Sequence, residues 1–235
     1  ASLAIIVLQQ YKIGVGYSWF IAAGASLVSW GIILALHWYP ALPFTIQGSG
    51  LAKDFNTLFV FQIDIFSFPY AFSLASLGLV VVITDLARFQ MHDNNPWSWA
   101  AMLAITGTGL LAIYAVSPLT IIFSWTIIDL IEMAFIIRSL DENHLILENI
   151  LAFAARIGGT LMVVIAAFYS RSLGQELILS SMLPQVGIFL LMAAGLRLGI
   201  IPLHLPYRET GVRRGLGTII RMVAPASSLV VLARL

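Results

Sequence analysis

The sequence contains no cysteine, which rules out disulfides, thiolate metal sites and cysteine-bound iron–sulfur clusters and argues against electron carriage by the chain itself. Charge is also scarce. Only 10% of the residues are charged, against about a quarter in an ordinary soluble domain. The net charge of +1 supplies no field that would recruit nucleic acid or an acidic substrate. No dinucleotide fingerprint, P-loop or nucleophile elbow is present, so an enzyme acting in its own right is the least favoured class. Gly14-Val15-Gly16 and Gly107-Thr108-Gly109 read as small-residue helix contacts, because neither continues into a phosphate-binding pattern. The four histidines, His37, His92, His144 and His204, show no ligand spacing for metal or haem, and no cofactor is expected.

What fills the chain instead is apolar: 60% of its 235 residues are hydrophobic. Stretches long enough to cross a hydrocarbon core recur along its whole length, so the bilayer is the solvent. The expected fold is all-α, a polytopic transmembrane helix bundle, taken as a single transmembrane domain over 1–235. A partial helix at about 1–9 is followed by helices at roughly 13–38, 64–87, 97–115, 118–137, 148–169, 177–200 and 216–233. The segment from Trp38 to Asp54, with Pro40, Pro43, Gly48 and Gly50, reads as an interfacial loop with an aromatic anchor. The opening Ala1-Ser2-Leu3 and the apolar close at Leu235 suggest a fragment of a longer chain.

Basic residues divide unevenly between alternate loops: Lys12, Arg88, Arg138, Arg208, Arg213 and Arg214 on one side, Lys53 and Arg171 on the other. The positive-inside rule then puts the loops after the first, third, fifth and seventh spans in the cytoplasm or its equivalent. The expected location is a bacterial inner membrane or the corresponding organelle membrane.

Ionisable groups at membrane depth need a partner or water. Asp129 and Glu132, three residues apart, share one face of the helix 118–137. Arg156, Arg197 and Arg221 lie in the following helices, whereas Asp64 and Asp85 flank opposite ends of 64–87 and read as boundary residues. Two readings of the inner carboxylates stay open. One is an internal salt bridge to Arg156 or Arg197 that pins helices. The other is a charge relay in which neighbouring groups bias one another's protonation. Arginine can steer a proton electrostatically but hardly carry one.

The densest polar signal runs from Gly195 to Arg208 and includes Arg197, Pro202, His204 and Pro206. A proline soon after a buried cation breaks the helix and frees carbonyls, as at the midplane ion sites of transporters, so a broken helix is expected near 197–206. Pro202 and Pro206 mark the break. His204 titrates near neutrality and is the candidate for proton exchange, with a cap on the broken helix as its plainer role.

This segment resembles the antiporter-like membrane subunits of respiratory complex I (the NADH-quinone oxidoreductase), a family shared with Mrp-type cation antiporters and membrane-bound hydrogenases. Arg197 stands at the position of the family's seventh-helix lysine, Pro202-Leu203-His204 matches its Pro-Phe/Leu-His, and Leu205-Pro206-Tyr207-Arg208-Glu209 is a loose form of its Trp-Leu-Pro-Asp. Phe61-Gln62-Ile63-Asp64-Ile65-Phe66-Ser67 resembles the start of the third helix, Pro118 to Trp125 the Leu-Phe-Phe-Trp-Glu run of the fifth, and Gly217-Thr218-Ile219-Ile220-Arg221 the Gly-Ile-Leu-Leu-Lys run of the eighth. The likeness covers most of the chain but only about the first eight helices of a longer family pattern.

The resemblance implies a proton- or cation-translocating membrane subunit, not catalytic alone, working beside other membrane subunits in a respiratory-chain complex, with quinone reached only through those partners. It implies an ion pathway through Asp129, Glu132, Arg156, Arg197, His204 and Arg221. The departures imply that pumping is altered or lost. Thr126 follows Trp125 where the family has glutamate, Asp129 comes one turn later, and arginine replaces lysine at 197 and 221. The alternatives are a structural docking subunit of a larger membrane complex, or a membrane subunit of an energy-coupled inorganic-carbon uptake system.

Overall fold

The computed structural model of the chain describes residues 1–11, 15–38, 43–47, 59–87, 96–139, 143–174, 179, 183–200 and 214–234. Among them are the helices α1 (Ser2–Gln10), α2 (Val15–His37), α3 (Ser67–Ala87), α4 (Pro96–Tyr114), α5 (Pro118–Ser139), α6 (Asn143–Ser172), α7 (Pro184–Arg197) and α8 (Arg214–Ala233). Two short strands, β1 (Phe44–Gln47) and β2 (Val60–Ile63), lie between α2 and α3. Among the described residues, six helices are long and apolar enough to span a bilayer: Gly16–His37, Ser67–Asp85, Pro96–Tyr114, Pro118–Ile137, Ile150–Ser172 and Gly215–Ala233. The chain is an all-α, integral, multi-pass membrane protein, as its composition requires.

Local chemistry explains the helix starts. Pro96, Pro118 and Pro184 each open a helix, where the missing N–H costs nothing and the fixed φ is already helical. Asp64 caps α3, its Oδ1 accepting from the Ser67 amide at 2.7 Å while the Asp64 amide donates back to Ser67 Oγ at 3.1 Å. At α5 the Ser117 hydroxyl accepts from the Thr120 amide and pairs with the Thr120 hydroxyl. Pro225 is tolerated inside α8, with the Ser227 and Ser228 hydroxyls both bonded to the Ala224 carbonyl.

The helices alternate in direction, and polar contacts stitch each end. At one end Trp99 Nε1 donates to Asp85 Oδ2 at 2.7 Å and Trp19 Nε1 to the Val82 carbonyl at 3.1 Å, joining the close of α3 to the starts of α4 and α2. At the other end, the segment read from sequence as an interfacial loop supplies β1, which pairs antiparallel with β2 so that Phe44 faces Ile63 and Gln47 faces Val60. β2 continues onto the link between α4 and α5, where the Val116 amide donates to the Val60 carbonyl at 3.1 Å. Arg234, just past α8, closes the same end: its Nε is 3.0 Å from Asp64 Oδ2, and Nη1 donates to the Ala115 carbonyl at 2.7 Å.

Between these ends, α4 is sheathed by α1, α2, α3, α5 and α8, and Trp99, Ala100, Ala101, Ile105 and Ile113 on it are buried. A second packing centre lies where α5, α6 and α7 meet. Trp125, Ile128 and Leu190 are fully buried there, and it also holds the charged residues.

Candidate functional site: a buried ion tetrad

α5 presents Asp129 and Glu132 on one face, and α6 and α7 bring an arginine to each. Arg197 forks onto Asp129, with Nη1 2.7 Å from Oδ2 and Nη2 3.0 Å from Oδ1. Arg156 pairs with Glu132 through Nη1, and its Nε lies 3.8 Å from Asp129 Oδ1. Asp129 therefore sits between two guanidinium groups. All four residues are buried, none more than 4% exposed, and their formal charges sum to zero. Burial at this depth demands such compensation, because a lone ion in hydrocarbon costs several kcal/mol.

Trp125, one turn before Asp129, adds a third contact. The Arg197 Cζ stands 4.4 Å from the centre of the indole ring, within cation–π range. Thr160 Oγ1 lies 3.4 Å from Arg197 Nη1, tying that arginine to α6, and donates to the Arg156 carbonyl at 3.3 Å. Trp125 Nε1 and Arg197 Nε are buried and have no hydrogen-bond partner among the described residues.

The geometry of α7 sets Arg197 in place. With 14 residues the helix is about 21 Å long, short of the roughly 30 Å hydrocarbon core. It ends on the arginine itself. The Ile200 amide reaches back to the Gly195 carbonyl and the Gly199 amide to Leu196, a Schellman closure that needs a left-handed residue, and Gly199 supplies it at φ 71°. The cation thus occupies the negative end of the helix dipole. Close approach to α6 depends on Gly159, where a Cβ would lie 2.8 Å from both the Ala193 carbonyl oxygen and Arg197 Cγ.

Of the residues singled out in the sequence, Asp129, Glu132, Arg156 and Arg197 come together. Arg221 does not. It is exposed on α8, and no hydrogen bond or ion pair joins it to the four among the described residues. Pro202, His204 and Pro206 lie outside the described residues, as does His92. Asp64 and Asp85, read as boundary residues, sit at opposite ends of α3, one a helix cap bonded to Arg234 and the other an acceptor for Trp99. His37 is exposed and stacks on Phe68 with ring centres 4.1 Å apart.

Sequence reasoning missed Thr160, Gly159 and the Trp125 stack. Their spacing held a usable signal: Trp125 is one turn from Asp129, and Gly159 and Thr160 lie within four residues of Arg156 on one side of α6. Chemically, the tetrad can hold or redistribute charge. Its guanidinium groups stay protonated, so Asp129 and Glu132 are its only members able to exchange a proton. Among the described residues, no group of three or more His, Asp or Glu side chains could hold a metal ion.

No protein-family model matches the chain, and no curated protein does. A solved structure does: a chain of the membrane-bound sulfane sulfur reductase, an archaeal respiratory membrane complex, aligns over 100% of this chain with a TM-score of 0.69 and 18% identity. At that identity the likeness is one of fold. The alignment takes in 41% of the solved chain, so this chain spans about two fifths of its neighbour's length.

Proposed function

We propose that this chain is a membrane subunit of a multi-subunit, energy-converting complex of the respiratory type, and that the tetrad of α5, α6 and α7 is a charge relay for protons or monovalent cations. The observation that carries this reading is the bidentate Arg197–Asp129 pair at the end of a short helix, with a second arginine 3.8 Å from the same carboxylate. A scaffold needs only one such pair to fix a helix crossing. Asp129 instead has two cationic partners, and Glu132 stands one turn away with Arg156 between them. When one carboxylate gains or loses a proton, Arg156 can favour the other. The fold shared with a chain of an archaeal respiratory membrane complex and the motif resemblance to antiporter-like subunits support the same reading.

The arginine at 197, where the resemblance expects lysine, narrows what such a relay can do. A lysine in that position can pass a proton on, whereas an arginine only sets the potential felt by neighbouring carboxylates. In this reading Asp129 and Glu132 pass the proton and Arg156 and Arg197 hold the charge balance.

The test is ion translocation by membrane vesicles that carry Asp129→Asn or Glu132→Gln, with assembly of the native complex measured on the same preparations. The expected result is at least a tenfold loss of translocation per assembled complex. Wild-type translocation in both variants would overturn the relay. Loss of assembly with unchanged translocation per surviving complex would establish the docking role instead.

A further inference from the structure

Within the relay proposed above, on which this inference rests, we infer that Thr160 is a positioning residue: its hydroxyl is a second seat for Arg197, taking the guanidinium from Asp129 while that carboxyl carries a proton. Arg197 Nη1 faces two acceptors at once, Asp129 Oδ2 at 2.7 Å and Thr160 Oγ1 at 3.4 Å. The nearer one is the seat while Asp129 is charged. A shift of about 0.5 Å toward α6 brings the other to the ordinary N–H···O distance. Thr160 is buried, and its one hydroxyl proton is already committed. It goes to the Arg156 carbonyl at 3.3 Å, which leaves the lone pairs of Oγ1 for the guanidinium.

An arginine needs such a second acceptor, because it keeps its own charge when its partner's is neutralised. A buried guanidinium left with no acceptor is the uncompensated ion that makes a broken buried pair so costly. Two features let Arg197 make the move without leaving the interior. The Trp125 ring lies 4.4 Å from its Cζ, and the attraction of that ring for the cation is the same whether or not Asp129 carries a proton. Gly159, the neighbour of Thr160, leaves room for the stem: a Cβ there would lie 2.8 Å from Arg197 Cγ, so the side chain runs along the α6 backbone beside the hydroxyl. Arg156 keeps its own carboxylate in Glu132. The hydroxyl is not needed to complete α6, since the Arg156 carbonyl also receives the Thr160 amide in the helical ladder.

The test compares Thr160→Val, which keeps the shape and removes the hydroxyl, with Thr160→Ser, which keeps the hydroxyl, both in the native complex. Ion translocation per assembled complex in vesicles should fall about tenfold or more in Thr160→Val, as expected for one lost hydrogen bond to a charged group. Thr160→Ser should restore it to near the wild-type rate. Thermal melting of the same preparations gives a reading independent of transport. With Asp129→Asn standing in for the protonated carboxyl, Thr160→Val should lower the melting temperature about twice as far as it does beside the native Asp129. A wild-type rate per assembled complex in Thr160→Val, beside an inactive Asp129→Asn, overturns the second seat and leaves the relay standing. Equal melting shifts in the two backgrounds, or failure of Thr160→Ser to restore the rate, overturn the second seat as well. Wild-type translocation in both Asp129→Asn and Glu132→Gln overturns the relay, and with it the role given to Thr160.

Discussion

Arg197 holds Asp129 with both terminal nitrogens across 68 residues of sequence, joining the middle of α5 to the last residue of α7. The pair is fully desolvated, so its members are not interchangeable with smaller ones. Arg197→Met leaves Asp129 with only the 3.8 Å contact to Arg156. It should destabilise the protein by about 3–5 kcal/mol on the scale of broken buried pairs. The double variant Arg197→Met, Asp129→Leu should recover most of that loss, because no uncompensated charge remains. Denaturant unfolding in bicelles reads both values. Equal destabilisation of the single and double variants would contradict the pairing.

Gly159 gives a steric test of the same site. Gly159→Ala places a methyl 2.8 Å from the Ala193 carbonyl and Arg197 Cγ. α7 must move away, at a cost of about 1–3 kcal/mol. Gly187→Ala, on the same helix pair but with nothing within 4 Å of the new Cβ, should be neutral or slightly stabilising. Melting temperatures of the two purified variants should separate accordingly.

The helix end that delivers Arg197 depends on a residue with positive φ. Gly199→Ala forces a Cβ into the left-handed region at φ 71°, which costs about 1–2 kcal/mol. Gly174, also at positive φ but beyond the last turn of α6, has an open site, and its alanine variant should carry a similar local strain without touching the tetrad. Only Gly199→Ala should therefore reduce translocation in the vesicle assay.

At the hairpin end, Arg234→Ala removes three hydrogen bonds, to Asp64, the Ala115 carbonyl and the Gln62 carbonyl. Charged hydrogen bonds of this kind are worth about 1.5–3 kcal/mol. Amide exchange at Val60 to Ile63 and at Val116 should accelerate, while exchange in the centre of α4 stays unchanged.

The spans were legible because hydropathy over some twenty residues dominates every local preference in a bilayer. Asp129 and Glu132 were likewise found by helical spacing alone, and the candidate partners Arg156 and Arg197 both prove to be used. Illegible features depended on shorter-range chemistry. Phe44–Gln47 and Val60–Ile63 pair as strands although no two-residue turn joins them, so the usual hairpin signal is missing. α6 begins at Asn143, five residues before its expected start, because Asn143, His144 and Glu148 interrupt the apolar run that marks a span. The described part of α7 begins at Pro184 and closes on Arg197, its end set by a glycine in left-handed conformation. The outward face of Arg221 was readable in principle. Leu216, Ile219, Ile220 and Val223 define an apolar face that Arg221 does not share.

The Arg234–Asp64 contact spans 170 positions of the chain, and this separation becomes a delay during biosynthesis. At about 5–20 residues per second, a ribosome needs roughly 10–30 s after making Asp64 to produce its counter-ion. For that interval the carboxylate that caps α3 and the strand beside it wait at the membrane surface without the arginine that later joins them. α8 is thus the helix that seals this rim, and an insertion intermediate stalled before α8 would be recognisable by an open hairpin end around the preceding spans.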